Sequence, residues 1–146
     1  MSRGIFIGLL LAVGVALALR CPALKQRPMH NDEAVNAIKF RALWEEGIYR
    51  FDPTEHHGPT LHYLTLLWGK MIGVKSFLEF DESLLRGLIV VAGVGTILAL
   101  LLVYDGLGGK TVVCAAMLTA ISPAMVFYSR YYIHEMLLVL FTFFAL

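Results

Sequence analysis

The sequence predicts an all-α membrane protein, and three observations support this prediction. Of the 146 residues, 58% are hydrophobic and only 16% are charged, and the mean hydropathy is +0.72. Soluble proteins average roughly 45–50% apolar and about 25% charged residues. The apolar residues are also concentrated in long uncharged runs. The formal net charge of +1 gives no basic surface of the kind that binds nucleic acid, so we expect no nucleic-acid partner.

Four apolar runs predict the spans of a helical bundle, since about 20 apolar residues cover the hydrocarbon core of a bilayer. The predicted spans are residues 4–19, 84–104, 111–128 and 135–146. The first run has a basic start and an A-x-A triplet, which also fits a cleaved signal peptide, but the later spans favour an uncleaved anchor. The fourth run is cut off mid-helix at Leu146. We therefore expect residues 1–146 to be the N-terminal part of one longer multi-span domain.

Most of the charge lies in a loop over residues 20–82, between the first and second spans. This loop holds eight of the 12 basic and nine of the 11 acidic residues. Two amphipathic helices are predicted in it, over about 33–47 and 60–74, both lying at the membrane interface with Trp44 and Trp68 as aromatic anchors. The apolar side of the first comprises Ala34, Ala37, Ile38, Phe40, Leu43 and Trp44, and that of the second Leu61, Leu64, Trp68, Met71 and Ile72.

The number of crossings places the candidate site residues on one membrane face. The second span leaves the side of the large loop and the third returns to it, so Arg130, His134 and Glu135 emerge on the same face as Asp32 and Glu33. Positive-inside counting applies to short loops and not to one of roughly 60 residues, so the orientation depends on Arg3 and the free amino terminus, which favour a cytoplasmic N-terminus and an extracytoplasmic loop.

Two acidic positions are candidates for chemistry. Asp32 precedes or begins the first amphipathic helix, where it could be an ordinary N-cap or a general base at the membrane surface, and spacing alone favours the cap. Glu135 abuts an apolar run, where a carboxylate costs at least about 2.5 kcal/mol if drawn into the bilayer. Arg130 lies five residues before it and suits a phosphate group.

The neighbouring histidines His56 and His57 stand in a polar turn before the second amphipathic helix. They could be a solvated turn, metal ligands, or hydrogen-bond donors to a phosphate. Adjacent imidazoles point in different directions, which argues against a metal site. A phosphate contact by one of them is the more acceptable functional interpretation.

Taken in order, these motifs resemble the start of a GT-C membrane glycosyltransferase. The resemblance covers nearly the whole chain and is strongest to the protein mannosyltransferase and lipid A aminoarabinose transferase group, including the prokaryotic branch associated with flippase activity. It is carried by the following segments: Asp32-Glu33-Ala34, Trp44-Glu45-Glu46-Gly47, His57-Gly58-Pro59-Thr60-Leu61-His62-Tyr63-Leu64, Ser122-Pro123, Ser129-Arg130-Tyr131 and Glu135.

The resemblance implies an inverting transferase that moves a hexosyl or pentosyl group from a polyprenyl-phosphate donor to a protein or lipid hydroxyl at the outer face of the cell membrane. It implies Asp32 and Glu33 as catalytic acidic residues and Glu135 as the second acidic position. His57 stands where relatives carry a His or Lys before a proline pair, of which Gly58 replaces the first.

The chemistry assigns further roles around these positions. A sugar that leaves a lipid phosphate requires positive charge or donors on that phosphate, which Arg130, His57 and His134 could supply. A divalent metal could be held by Asp32 and Glu135, although nothing in the spacing demands one. With the resemblance, Asp32 as a base ranks ahead of Asp32 as only a cap.

Two other classes of protein fit parts of the sequence. One is a multi-span transporter or channel subunit in which Arg130 and Glu135 line a pathway. The other is a signal-anchored binding protein without enzymatic activity. The long loop with two amphipathic helices favours the transferase, and we expect the 146 residues alone to be inactive because the core of that family has more spans.

Overall fold

A computed structural model describes residues 1–54 and 58–145 of the chain. The all-α prediction is confirmed, since these residues form helices and no strand. The α-helices are α1 (Arg3–Arg20), α2 (Asn31–Glu46), α3 (Thr60–Met71), α4 (Glu82–Ala99), α5 (Tyr104–Leu107), α6 (Gly109–Ile121), α7 (Pro123–Tyr128) and α8 (Glu135–Ala145). Short 3₁₀ helices occupy Phe77–Glu79 and Leu100–Val103.

Two helical stretches within the described residues are long and apolar enough to cross a membrane, namely Arg3–Arg20 and Glu82–Leu107. The apolar helices Gly109–Ile121 and Glu135–Ala145 are shorter. The first stretch corresponds to the predicted span 4–19. The second begins two residues before the predicted span 84–104 and ends three residues after it, because the 3₁₀ helix and α5 continue α4 as far as Leu107.

The span predicted over 111–128 is not one helix, since the chain breaks at Ser122. Ser122 has an extended ψ of 122° and its Oγ accepts a hydrogen bond from the Met125 amide at 3.5 Å, so it begins α7 as an N-cap. Pro123, the first residue of α7, has no amide hydrogen to continue the ladder of α6. A Ser-Pro pair therefore ends one helix and begins another.

Close approaches between helices fix the directions in which they run. A β-carbon added to Gly8 of α1 would lie 2.7 Å from Val113 in α6, and the last residue of α1 reaches carbonyls in the last turn of α6, so the two helices are parallel. The first turn of α4 bonds to the chain just after α1, so α4 runs the opposite way. α8 packs against α4, where Gly95 of α4 lies against Leu140 of α8.

This arrangement places residues 21–54, 58–81 and 129–134 at the same end of the bundle. Two apolar cores support it. The first lies among α1, α4 and α6 and includes Leu9, Ala12, Ala16, Ile97, Val112, Ala116 and Ala120. The second joins α2 and α3 to α4 and α8 and includes Phe40, Leu61, Phe80, Leu85, Ile89, Tyr132 and Met136.

Helix α2 buries Ala37, Phe40 and Leu43 of the predicted apolar side, but the buried face is turned toward two polar residues and away from Ile38. Ile38, expected on the apolar side, is 69% exposed, whereas the polar Asn36 is buried. The buried positions are Glu33, Asn36, Ala37, Phe40 and Leu43, which follow the three- and four-residue spacing of one helical face. Two polar side chains therefore belong to the packed face of this helix.

The predicted second amphipathic helix, 60–74, ends at Met71, where Ile72 is the C-cap and Gly73 adopts a positive φ of 82°. Both tryptophans expected as membrane anchors contact protein instead. The Trp44 ring lies 5.1 Å from that of Phe80, and the Trp68 indole donates to the Leu84 carbonyl at 3.1 Å. Trp68 thereby ties α3 to the start of α4.

Candidate functional site

The carboxylate of Glu33 lies at the centre of the polar end of the bundle. Its side chain is fully buried and accepts five hydrogen bonds. Oε1 accepts from Arg86 Nε at 2.8 Å and from the Tyr132 amide at 2.9 Å. Oε2 accepts from Arg27 at 2.9 Å, from the His30 amide at 3.0 Å and from Arg86 Nη2 at 3.0 Å. We refer to Glu33, Arg27, His30, Arg86 and Tyr132 as the Glu33 cluster.

The surroundings of Glu33 keep its carboxylate ionised. Burial raises the pKa of this group, but hydrogen bonds from Arg86 and from the amides of His30 and Tyr132, together with the charge of Arg86, outweigh burial and hold the pKa below its ordinary value. A buried carboxylate with both oxygens occupied by donors fixes its neighbours in place.

The segment 129–134 is docked onto α2 and α3 through Tyr132. Its backbone amide bonds to Glu33, and its carbonyl accepts from Asn36 at 3.2 Å. Its fully buried hydroxyl lies 2.8 Å from Thr65 Oγ, and burial raises the pKa of the Tyr132 phenol. These contacts place the segment at the same end of the bundle as Glu33, while its position on one membrane face stays a prediction.

Arg86 occupies a second central position in the Glu33 cluster, with only 1% of its side chain exposed. Nε and Nη2 bind the Glu33 carboxylate, Nη1 donates to the carbonyls of Leu24 and Arg27, and Nη2 also donates to that of Pro28 at 3.3 Å. A guanidinium has five N–H groups, and all five of Arg86 are used within the protein.

A pocket of about 170 Å³ opens beside the Glu33 cluster, and we call it the arginine pocket. It is lined by Ala23, Leu24, Arg27, Arg86, Phe127, Arg130 and Tyr131. The Arg27 guanidinium stacks 3.6 Å above the Tyr131 ring, and Phe127 lies 4.4 Å from that ring. The three arginines that line the pocket and the carboxylate of Glu33 together carry a formal charge of +2.

Arg130, predicted to bind a phosphate, lies in the wall of the arginine pocket and also caps α1. Its two terminal nitrogens donate to the carbonyls of Leu19 at 2.9 Å and Pro22 at 2.7 Å. Arg20, the last residue of α1, caps the C-terminal end of α6 in the same way. It is fully buried and donates to the carbonyls of Thr119 and Ala120 and to Ser129 Oγ at 2.8 Å.

Asp32 lies beside the Glu33 cluster with 69% of its side chain exposed. The interpretation of Asp32 as N-cap is wrong, because His30 is the N-cap of α2 and its Nδ1 accepts from the Asp32 amide at 3.4 Å. The same Nδ1 lies 3.6 Å from an Asp32 carboxylate oxygen. The Asp32 carboxylate therefore faces solvent at the positive end of a helix.

The other predicted site residues are more dispersed. Glu135 is the first residue of α8 and is exposed. His134 donates to the Gly58 carbonyl at 3.1 Å, and its ring lies 5.7 Å from that of His62, away from the lining of the arginine pocket. His56 and His57 lie outside the described residues.

The metal hypothesis for Asp32 and Glu135 finds no ligand cluster in the part of the chain that the structure describes. No three His, Cys, Asp or Glu side chains converge there as metal ligands would. Asp32 has the His30 imidazole as its neighbour, and one exposed carboxylate with one imidazole does not make a complete ligand set.

Sequence reasoning missed Arg27, Arg86 and Tyr131. A signal for Arg86 was present, since it is an ionisable residue at the edge of an apolar run, like Glu135. Arg27 and Tyr131 carried no such signal, because their pairing depends on how two loops distant in sequence meet.

Comparison with known proteins adds no relative to this description: no family model, curated protein or solved structure matches the chain.

Proposed function

We propose that this chain is part of a multi-span membrane glycosyltransferase that moves a sugar, with inversion, from a polyprenyl-phosphate donor to a hydroxyl of a protein or lipid at the outer membrane face. The observation that carries the proposal is the position of Asp32. The exposed Asp32 carboxylate lies 3.6 Å from His30 Nδ1, and the His30 ring lies 6.3 Å from the ring of Tyr131, which lines a pocket together with three arginines. The candidate base and the candidate phosphate-binding arginines are thus connected through His30 and Tyr131 at one end of the helical bundle.

The lipid-linked donor accounts for the position of this end of the bundle. In the proposed topology α1, α4, α6 with α7, and α8 cross the bilayer, and residues 21–81 lie outside. α3 rests at the interface through Tyr63, Leu67 and Met71, which are at least half exposed and recur every four residues on one face. Lys70, at the edge of this face, extends its charge toward the lipid head groups.

The proposed reaction needs one base and one stabilised leaving group. Asp32 takes the proton of the acceptor hydroxyl, the acceptor oxygen bonds to the anomeric carbon, and the bond from that carbon to the phosphate oxygen breaks. The electron pair leaves with the lipid phosphate, whose charge is stabilised by arginine N–H groups. Attack from the side opposite the leaving group inverts the anomeric configuration.

In this proposal Glu33 is a positioning residue and not the base. Both of its oxygens are occupied by donors from within the protein, so neither is directed at an acceptor hydroxyl. Its contacts to the His30 amide and the Tyr132 amide hold the start of α2 against segment 129–134, which sets the position of Asp32.

Replacement of Asp32 by asparagine tests the proposal. We expect sugar transfer from a polyprenyl-phosphate donor, measured in native membranes with a radiolabelled sugar, to fall by about 100-fold or more, since general base catalysis contributes roughly 10²–10⁴-fold. Protein abundance and membrane insertion should not change, because the side chain is largely solvent-exposed.

Asp105→Asn is the matched control, since Asp105 lies in α5 at the opposite end of the bundle and should retain full transfer. Full transfer by the Asp32→Asn variant would overturn the assignment of the base. If the full-length protein of which this chain is part transferred no sugar from any lipid-phosphate donor, the proposed function would be overturned.

A further inference from the structure

We infer that Arg27 and Arg130 form a two-arginine clamp for one phosphate-sized oxyanion, and that Arg86 is the positioning residue that holds the clamp in shape. Within the proposed function, on which this assignment of the ligand rests, the oxyanion is the phosphate of the sugar donor. The clamp itself is argued from donors, charge and volume in the arginine pocket.

Arg86 cannot be a ligand donor of the clamp, although it lines the pocket. Its five N–H groups are directed at the Glu33 carboxylate and at the carbonyls of Leu24, Arg27 and Pro28. Those three carbonyls belong to the connector between α1 and α2. Arg86 therefore shapes this connector around its own guanidinium, and the side chain of Arg27 projects from the shaped connector.

Arg27 and Arg130 keep donor groups for a ligand. Arg27 uses only Nη2, toward Glu33 and the Arg130 carbonyl, and its Nε and Nη1 make no hydrogen bond in the described part of the chain. Each terminal nitrogen of Arg130 donates one hydrogen bond within the protein. Its Nε–H group and the second N–H group of each terminal nitrogen therefore remain for a ligand. Tyr131 supports the Arg27 guanidinium from one face, so its N–H edge is held in a fixed plane.

Charge and volume restrict what the clamp accepts. With Arg86 balanced by Glu33, the two clamp arginines leave a charge of +2, which suits an oxyanion with one or two negative charges. A pocket of about 170 Å³ lies below the roughly 300–1,000 Å³ typical of sites that enclose a whole small molecule. The pocket has room for a phosphate group while the rest of the ligand stays outside it.

The rim of the pocket suggests where the remainder of the ligand lies. Phe127 lines the pocket and is 51% exposed, on the short helix α7 that follows the apolar α6. An apolar rim beside arginine donors suits a phosphate attached to a hydrocarbon chain. A free phosphate shares the same head-group chemistry, so the two sources need separate measurements.

The test measures binding of two probes, inorganic phosphate and a short-chain polyprenyl monophosphate, to the purified protein in detergent by calorimetry. We expect Arg27→Gln and Arg130→Gln each to weaken binding of the lipid phosphate by roughly 10-fold or more, the loss of one charge-assisted hydrogen bond. Arg41→Gln is the matched control, because Arg41 is exposed, contacts Glu45 and the Phe77 ring, and does not line the arginine pocket.

Arg86→Lys tests the positioning role, since lysine keeps the charge but lacks the five-donor geometry. We expect it to weaken phosphate binding as much as either clamp variant and to speed amide hydrogen exchange in residues 23–28. If Arg86→Lys does not fold, Arg27→Gln and Arg130→Gln still test the clamp.

Wild-type affinity in both clamp variants would overturn the inference. If inorganic phosphate binds as tightly as the lipid phosphate, the clamp stands and its assignment to a lipid-linked donor is overturned. If binding depends on Arg27 and Arg130 but the full-length protein does not transfer sugar, the result would support the clamp and contradict the proposed function.

Discussion

Glu33→Gln is expected to lower the free energy of unfolding by about 3–5 kcal/mol, because removal of one partner leaves the buried Arg86 guanidinium without its counter-charge. The side-chain NH₂ group of glutamine is itself a donor and would face the N–H donors that bind the Glu33 carboxylate. Oε2 of Glu33 faces N–H groups of Arg27, His30 and Arg86, and an amide nitrogen there finds no acceptor. Chemical denaturation in detergent, followed by circular dichroism, measures the change.

Glu45→Gln provides the matched control for this prediction. Glu45 pairs with Arg41 at 2.9 Å on the exposed face of the same helix, so its loss should cost only about 0.3–0.5 kcal/mol. If Glu33→Gln cost no more than Glu45→Gln, the Glu33 cluster would not hold this end of the bundle together.

The same cluster predicts acid sensitivity. The pKa of Glu33 is lower in the folded protein than its ordinary value of 4.5, so the folded protein binds this proton less readily than the unfolded chain. Its stabilisation is fully present above pH 4.5 and is lost as the pH falls below that value through the lowered pKa. The Glu33→Gln variant should show a smaller loss of stability over this acidic range than the wild type.

Arg20→Met is expected to cost about 2–4 kcal/mol, because it strips donors from a buried helix end. Arg20 satisfies the carbonyls of Thr119 and Ala120 at the end of α6 and also binds Ser129 Oγ. Methionine fills part of the volume but donates no hydrogen bond, and each buried acceptor left unpaired costs roughly 1–3 kcal/mol. The break between α6 and α7 should loosen, which hydrogen exchange at residues 119–129 would detect.

Arg3→Met is the control for the Arg20 variant, since Arg3 is the exposed first residue of the same helix. It should leave stability within about 0.5 kcal/mol of the wild type. Equal effects of the two substitutions would show that Arg20 acts through net charge and not through the capped helix end.

The sequence was sufficient to predict the helical class and the meeting of two distant segments. Long apolar runs predict helices, and the two runs between Glu33 and Arg130 predict that both residues lie at one end of the bundle. Hydrogen bonds from the Tyr132 amide to Glu33 and from Arg27 to the Arg130 carbonyl show this meeting directly.

The details of the site could not be predicted because they depend on tertiary contacts. Apolar patterning assigns Ile38 to the buried face of α2, but the donors of Arg86 and the carbonyl of Tyr132 draw Glu33 and Asn36 inward instead. The position of Asp32 as an exposed second residue of α2 follows, because rotation of the helix to bury Glu33 turns its neighbour outward.

A double-mutant cycle on Glu33 and Arg86 tests most directly whether this ion pair holds the candidate site together. The free energies of unfolding of the wild type, Glu33→Gln, Arg86→Met and the double variant are measured under one set of conditions. Because each single variant leaves one buried partner unmatched, the two single losses should together exceed the loss in the double variant by more than about 1.5 kcal/mol. Additivity within about 0.5 kcal/mol would contradict the account, since it would mean that the two residues act independently.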